Sequence, residues 1–150
     1  MDSDLILAIA HHLAVFALVA VYAAEFALLR PGVSGTQIRQ LGRIDAAYGG
    51  LAAVVIIAGI FRVIFGAAGW EYYVGNQIFW GKMAAFLVMG LLTIPPTLAI
   101  RRWQKGLAGD GNYAPPAAEV SANRRYIHLQ GAVLLLIPIF AAAMARGYGS

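Results

Sequence analysis

Four long apolar stretches constrain this chain more than any other feature. They cover residues 5–29, 46–70, 79–100 and 126–145, and each reaches the ~20 residues with which a helix crosses the hydrocarbon core of a bilayer. Inside a bilayer a helix satisfies every backbone hydrogen bond within its own segment. We therefore predict an all-α integral membrane protein, one transmembrane domain over residues 1–150, folded as a four-helix up-down bundle.

The composition agrees with a membrane protein and excludes several classes of function. Hydrophobic residues make up 61% of the chain and charged residues only 12%, whereas soluble domains are about half apolar and a quarter charged. The chain has no cysteine, which excludes disulfides, thiolate metal sites and a cysteine nucleophile. Neither a hydrolase signature, nor a P-loop, nor an arginine stripe for nucleic acid is present.

The basic residues divide unequally between the two sides of the predicted bundle. Cytoplasmic loops carry the excess of Lys and Arg in membrane proteins. This bias predicts a multi-pass protein of the bacterial inner membrane with both termini in the periplasm. The predicted cytoplasmic side has eight cations and the opposite side three: Arg30, Arg39, Arg43, Arg101, Arg102, Lys105, Arg124 and Arg125 against Arg62, Lys82 and Arg146.

Ionisable residues gather in the periplasmic third of the predicted bundle. His11 and His12 lie inside the apolar run AIAHHLAVFALVA, Arg62 near the outer end of the second span, and Lys82 three residues into the third. A charge inside a span costs ~2.5–3.5 kcal/mol on insertion scales, so it should face the bundle and find a partner. The sequence places no carboxylate in this layer, which favours an anionic ligand or a cofactor that carries carboxylates.

Haem b fits that requirement, because histidine ligates iron and Arg or Lys can bind the propionates. We predict His12 or His11 as the metal ligand, with Arg62 and Lys82 as anion partners. Side chains around them complete the predicted cofactor site: Trp80, Tyr72, Tyr73 and Asn76. The alternatives are that Arg62 and Lys82 reach for lipid headgroups and that the aromatic residues form an interfacial belt.

A second polar layer is predicted on the cytoplasmic side, from Glu25, Arg43, Asp45 and His128. One interpretation is a salt-bridge network that fixes helix ends; the other is a proton path or a second site around Glu25. His12 and His128 should not ligate one haem together, because straight helices place them roughly 15 Å apart along the membrane normal.

Several local patterns predict the packing and the links. Ala46, Gly50 and Ala53 recur at helical spacing and would allow a neighbouring helix, or a second copy in a homodimer, to approach closely. Pro95 and Pro96 should kink or loosen the third span. We expect short links at residues 30–45 and 71–78, and a mobile loop at residues 101–125.

The sequence also resembles a known family over nearly its whole length. The matching segments are HHLAVFALVAVYAAEFALLR, RIDAAYGGLAAVVIIAGIFRV, GWEYYVGNQIFWGKM, IPPTLAIRRW and MARGYG. They resemble a bacterial family of predicted four-helix inner-membrane proteins of unknown function. More remotely, the layout is similar to HemJ-type protoporphyrinogen oxidases and CopD-type copper-resistance membrane proteins.

The HemJ resemblance implies haem b ligation by His11 or His12 and oxidation of a porphyrinogen. Trp80 with Lys82 corresponds to the W-x-x-K motif of those proteins at one residue's shorter spacing. The NE feature of their fourth helix is missing, and Arg125-Tyr126-Ile127-His128 stands in its place. The sequence therefore predicts a haem-binding or redox-active membrane protein without defining its substrate or its electron partner.

Two other functions stay open at this point. CopD-like copper handling would use histidine or methionine ligands, and Met83, Met89 and Met144 are available, although methionine in spans is usually a packing residue. A small transporter subunit or non-catalytic scaffold would need a dimer, since four helices hardly enclose a transport path alone.

Overall fold

The computed structural model describes residues 3–149 of the chain, and the side chains of residues 5–149. Residues 3–149 form five helices: α1 (Ser3–Leu28), α2 (Gly35–Phe65), α3 (Trp70–Gly75), α4 (Gln77–Gly109) and α5 (Ala117–Ala145). All except the short α3 are long and apolar enough to cross a membrane. No strand occurs in this part of the chain, which confirms the all-α, four-span prediction.

The four long helices are arranged as an up-down bundle in which each helix packs against two neighbours. Going round the bundle, the order is α1, α2, α4 and α5, and α5 closes on α1. Cross-helix contacts show that neighbours run antiparallel: the start of α1 meets the end of α2 at His11 and Gly59, and Tyr22 bonds to Ile127 of α5.

We name the two ends of the bundle by their charged residues. The histidine end carries His11, Arg62 and Lys82, together with α3. The arginine end carries Arg39, Arg43 and Arg124.

Three helices continue past the predicted spans at the arginine end, which corrects the predicted links. α2 has 31 residues and is therefore ~46 Å long, well beyond the ~30 Å of a bilayer core. Predicting a link at residues 30–45 and a mobile loop at 101–125 was wrong, because only residues 29–34 and 110–116 are non-helical there. The link predicted at residues 71–78 contains most of α3.

The extensions are helical because they bury their own apolar core. Apolar residues spaced three or four apart on these helices face one another, as expected for amphipathic segments. Hydropathy detects only the part of a helix that contacts lipid. The extensions have one polar face, so the span prediction did not include them. The cluster consists of Leu29, Val33, Ile38, Leu41, Ala99, Ile100, Trp103, Val120 and Ile127.

A second apolar cluster fills the middle of the bundle. It contains Ala14, Leu18, Tyr48, Val55, Ala85, Met89 and Ile137. Apolar side chains on the outside of the four helices are exposed over their whole length, as a lipid-facing surface requires. The histidine end is the less densely packed of the two, since most apolar side chains at the start of α1 and the end of α2 are exposed.

The prolines of the third span do not break it, because a side chain from α5 takes over the lost bond. α4 runs without interruption through Pro95 and Pro96. Proline has no N–H for the carbonyl four residues earlier, and for Pro96 that carbonyl belongs to Leu92. The Gln130 side-chain amide donates to the Leu92 oxygen at 3.0 Å, so the carbonyl is satisfied inside the bundle.

Specific contacts fix both sides of the α1–α2 link. Ser34 and Gln37 form a capping box, in which Ser34 N donates to Gln37 Oε1 at 2.8 Å and Gln37 N donates to Ser34 Oγ. Arg124 of α5 donates to the carbonyls of Phe26 and Leu29, which lie at the end of α1. These bonds satisfy backbone groups that a helix end leaves free.

The small residues of α2 do not pack against another helix of the same protomer. Ala46, Gly50 and Ala53 are exposed, and nothing lies within 4 Å of the position that a Cβ would take at Gly50. Other glycines make the close contacts, notably Gly59 against His11 and Gly131 against the Tyr22 hydroxyl. The homodimer stays a prediction.

Candidate functional site

His11, Arg62 and Lys82 come together at the histidine end from three different helices. The three side chains are half-buried, and the charges of Arg62 and Lys82 act directly on the His11 ring. The ring lies against the turn of α2 between Val55 and Gly59. Gly59 has no side chain, and this allows an imidazole to lie between α1 and α2.

His12, the neighbour of His11, is not part of this group. Its side chain is exposed, and its Nδ1 lies 2.7 Å from the carbonyl oxygen of Ala8 on its own helix. The two rings are nearly perpendicular, at 85°, with centroids 6.2 Å apart. Consecutive residues on a helix point ~100° apart, so only one of the two can face α2, and that one is His11.

The polar atoms of the His11 group lack partners among the described residues. The buried His11 Nδ1 and Arg62 Nε make no hydrogen bond, and the Lys82 ammonium has the Phe79 ring at 5.6 Å. Of the described carboxylates, none forms an ion pair with Arg62 or Lys82; the nearest in sequence, Glu71, is exposed on α3. Buried cationic groups without a counter-charge favour a bound anion.

An apolar groove lies beside this group, between α1 and α2. It is shallow and open, and its walls are Ile6, Leu7, Phe61 and Phe65. Leu7 precedes His11 by one helical turn, and Phe61 and Phe65 flank Arg62 on α2. An apolar body in the groove would therefore place its polar end next to the His11 group.

The other predicted cofactor-site residues hold the end of the bundle together. The Trp80 indole donates to the Val74 carbonyl at 3.0 Å, and the Tyr72 hydroxyl donates to the Met144 carbonyl at 3.0 Å. Tyr73 packs its ring against those of Tyr72 and Phe79. The hydrogen bonds of Trp80 and Tyr72 thus connect α3 to α4 and to the end of α5.

Asn76 is fully buried at the junction of α3 and α4. Its Oδ1 accepts from Ile78 N at 2.9 Å and Phe79 N at 3.2 Å, which caps α4. Its Nδ2 donates to the Tyr148 carbonyl at 3.0 Å. These backbone bonds use the amide oxygen twice and one of the two N–H donors, so Asn76 holds the α3–α4 junction.

The polar layer at the arginine end differs from a salt-bridge network of its four predicted members. Arg43 and His128 are exposed, and His128 packs on Phe26 with ring centroids 4.9 Å apart. Glu25 and Asp45 are buried, at 2% and 8% exposure. Within the described residues the one ion pair is Arg102–Glu119, so neither buried acid has a salt-bridge partner.

Glu25 and Asp45 lie at the same level of the antiparallel α1 and α2, since each is fourteen residues from the contact of His11 with Gly59. Thr97 of α4 donates to Asp45 Oδ1 at 2.6 Å. The buried Tyr48 hydroxyl lies near both carboxyl groups and next to Thr93, without a hydrogen bond of normal geometry. This acid pair is a second candidate site, separated from the His11 group by the middle cluster.

Comparisons with known proteins give one family and no individual relative. The sequence model of a family described as "Predicted membrane protein (DUF2214)" matches residues 3–149. The chain belongs to the DUF2214 family. No curated protein and no solved structure matches it, and the resemblance to HemJ-type and CopD-type proteins stays a prediction.

Membership of DUF2214 establishes a membrane protein. What the protein binds has to be inferred from its side chains. In the described part of the chain no three His, Cys, Asp or Glu side chains converge as a metal-binding group. Met89 is buried in the middle cluster, as a packing residue would be. Copper handling therefore has no convergent ligand set among the described side chains.

Sequence reasoning missed several polar residues that turn into the bundle. Tyr48, Thr93, Thr97 and Gln130 each stand alone among apolar neighbours, and a single polar residue in a span is expected to face the bundle. That signal is present in the sequence, in YGGLAA, LLTIPPTLA and HLQGAV. It identifies which residues point inward, but not which of them meet.

Proposed function

We propose that this membrane protein binds an amphiphilic anion at the histidine end, and that the ligand is haem b. The observation that carries the proposal is the convergence of His11, Arg62 and Lys82 from three helices, with no described carboxylate paired to them. Half-buried positive charges in a span are costly unless something compensates them. A bound group with carboxylates would supply that compensation.

The residues present fit a haem in the role of each side chain. His11 would supply the axial nitrogen: its ring lies against the backbone turn at Val55, and iron-bound histidines are commonly oriented by a backbone carbonyl on their other nitrogen. Arg62 and Lys82 would bind the propionates. The groove of Ile6, Leu7, Phe61 and Phe65 offers the apolar surface that a porphyrin ring requires.

Haem bound there would supply one-electron redox chemistry. The contribution of the chain is to hold the group near one membrane surface and to orient it through His11. Of the two adjacent histidines, His11 faces α2, while His12 is exposed; His128 lies at the opposite, arginine end of the bundle. A single axial histidine per protomer follows from this placement.

The test compares the two adjacent histidines. Purified protein in detergent is titrated with haem, and the Soret band is followed. We expect the wild type and His12→Ala to give the same band and the same affinity, and His11→Ala to lose the shifted band. An identical titration for His11→Ala and His12→Ala contradicts the proposal.

A second pair of variants tests the anion partners. Lys82→Gln and Arg62→Gln should each weaken haem binding by about tenfold, because a charge-assisted bond of ~1.4 kcal/mol or more is lost. Arg39→Gln at the arginine end is the control and should bind as the wild type does. If anionic lipid vesicles displace the haem competitively, the group recognises a lipid headgroup as well.

We also propose an orientation for the protein in the bacterial inner membrane. The arginine end carries eight of the eleven Lys and Arg residues of the chain, and the positive-inside rule places such an end in the cytoplasm. Both termini and the His11 group then lie on the periplasmic side.

A further inference from the structure

We propose that Glu25 and Asp45 together form a binding site for one monovalent cation at the arginine end of the bundle. The site is separate from the His11 group: Glu25 lies fourteen residues after His11 on α1, a rise of ~21 Å. The middle cluster, with Leu18, Val55 and Met89, fills the bundle between them.

The geometry gives the two carboxyl groups no other way to be neutralised. They lie at the same level of α1 and α2, fourteen residues from the His11–Gly59 contact on each helix, and are 2% and 8% exposed. Like charges so placed cannot both be carried without a cation between them. Neither acid forms an ion pair within the described residues, and so no bonded positive charge offsets the pair.

The basic groups on the neighbouring helices are occupied or turned away. Arg101 of α4 acts on Asp45 but is exposed. Arg124 of α5 donates to the α1 carbonyls, and His128 packs on Phe26 with its Nδ1 2.8 Å from the Arg124 carbonyl oxygen. Arg43, two residues before Asp45, is exposed.

An independent feature points to a ligand between the two acids. The Tyr48 side chain, one helical turn after Asp45 on α2, is 2% exposed, and its hydroxyl makes no hydrogen bond of normal geometry. A buried hydroxyl without a partner costs free energy. A cation between the acids would be coordinated by that oxygen as well.

The remaining groups around the pair are neutral oxygen atoms. Thr97 donates to Asp45 at 2.6 Å, and the Tyr22 hydroxyl donates to the Ile127 carbonyl at 2.8 Å. Carboxylate and hydroxyl oxygens suit hard cations. Two carboxyl groups and one free hydroxyl provide too few oxygen ligands for a dedicated divalent site. The charge and the oxygen donors therefore suit a proton or a sodium ion.

The experiment uses dicyclohexylcarbodiimide, an apolar reagent that adds to protonated carboxyl groups inside proteins. The full-length protein in detergent is labelled over a range of pH, in sodium chloride or in equimolar choline chloride, and the adducts are mapped by mass spectrometry. Glu71, exposed on α3, is an internal control for a carboxylate in water.

We expect adducts on Glu25 or Asp45 and not on Glu71. Suppression by sodium but not by choline identifies a sodium ion as the occupant, and suppression by rising pH alone identifies a proton. No adduct at any pH, or adducts as frequent on Glu71 as on the pair, overturns the proposal. These results need no variant, so they do not depend on how a mutant folds.

A variant tests whether the two acids act as a pair. At a pH where half of the wild-type Glu25 is labelled, Asp45→Asn should lower Glu25 labelling by roughly twofold or more, because the neighbouring negative charge is gone. Asp110→Asn, in the exposed link between α4 and α5, is the matched control. Unchanged Glu25 labelling in Asp45→Asn would show that Glu25 is protonated independently of Asp45, and would contradict the proposal that the two acids share one cation.

Discussion

At the scale of single residues, a helix gives adjacent side chains different surroundings. His11 and His12 differ by one step of ~100°, and that step places one ring against α2 and the other outside the bundle. Gly59 makes the difference, because its missing side chain leaves room for the His11 ring. The HH dipeptide predicts a site, but the choice between the two rings depends on a residue 48 positions away.

A substitution at Gly59 can fill the space beside His11 without changing any residue proposed to bind haem. A Cβ at this position would already be in van der Waals contact with the His11 ring, at 3.5 Å from Cε1, so we expect the three further carbons of Gly59→Leu to displace the ring. Overpacking of this kind costs ~1–3 kcal/mol, and we expect haem affinity in the same titration to fall about tenfold or more. Gly49→Leu, where nothing lies within 4 Å, is the control; equal affinities for both variants would argue against this placement of His11.

Thr97 tests the arginine end at the same scale. Its hydroxyl donates to a buried carboxyl group, and Thr97→Val removes the donor while keeping the shape. We expect the free energy of unfolding to drop by ~1–3 kcal/mol, measured as a lower thermal midpoint in detergent. Thr36→Val, on the exposed first turn of α2, should change it by a few tenths at most.

At the scale of elements, sequence reasoning did not predict the extensions of α2, α4 and α5 or the bond that replaces the one lost at Pro96. Prolines in a span predict a kink when the helix is considered alone. In the bundle, Gln130 donates to the carbonyl that Pro96 leaves free. The amide of one helix thus substitutes for the missing N–H of another, which no pattern within α4 reveals.

This substitution predicts a double-mutant cycle. Gln130→Leu should destabilise the wild type by ~1–3 kcal/mol, because a buried carbonyl loses its donor. In a Pro96→Ala background the helix makes its own bond to Leu92, and the same change should cost markedly less. Chemical or thermal unfolding of the four proteins gives the coupling free energy. A value near zero would mean that Gln130 and Pro96 are independent.

At the scale of the whole molecule, hydropathy alone predicted the number of spans and the antiparallel order. Charge predicts that His11, Arg62 and Lys82 turn inward from the same depth, and the three side chains are half-buried at the histidine end. The pairing of Glu25 with Asp45 was not predicted. Sequence reasoning expected acids and bases to meet, whereas the helix faces bring two acids together and leave Arg43 in solvent.

The orientation of the molecule can be tested because the chain has no cysteine. Ala68→Cys places a thiol in the link before α3 at the histidine end, and Gly111→Cys places one in the link between α4 and α5. With a membrane-impermeant maleimide on intact bacterial spheroplasts, we expect Ala68→Cys to be labelled at once. Gly111→Cys should be labelled after permeabilisation only. The reverse pattern would invert the proposed topology.

The unequal length of the four long helices bears on how anything reaches the acid pair. α1 ends at Leu28 while its three companions continue, and Leu29 and Val33 fill the place of its missing turns. The Arg124 guanidinium donates a hydrogen bond to the Leu29 carbonyl and so holds these two aliphatic side chains in place. A cation that passes between the aqueous phase and Glu25 at this end would require Leu29 and Val33 to move aside. The rate of that movement would then limit the rate of cation exchange.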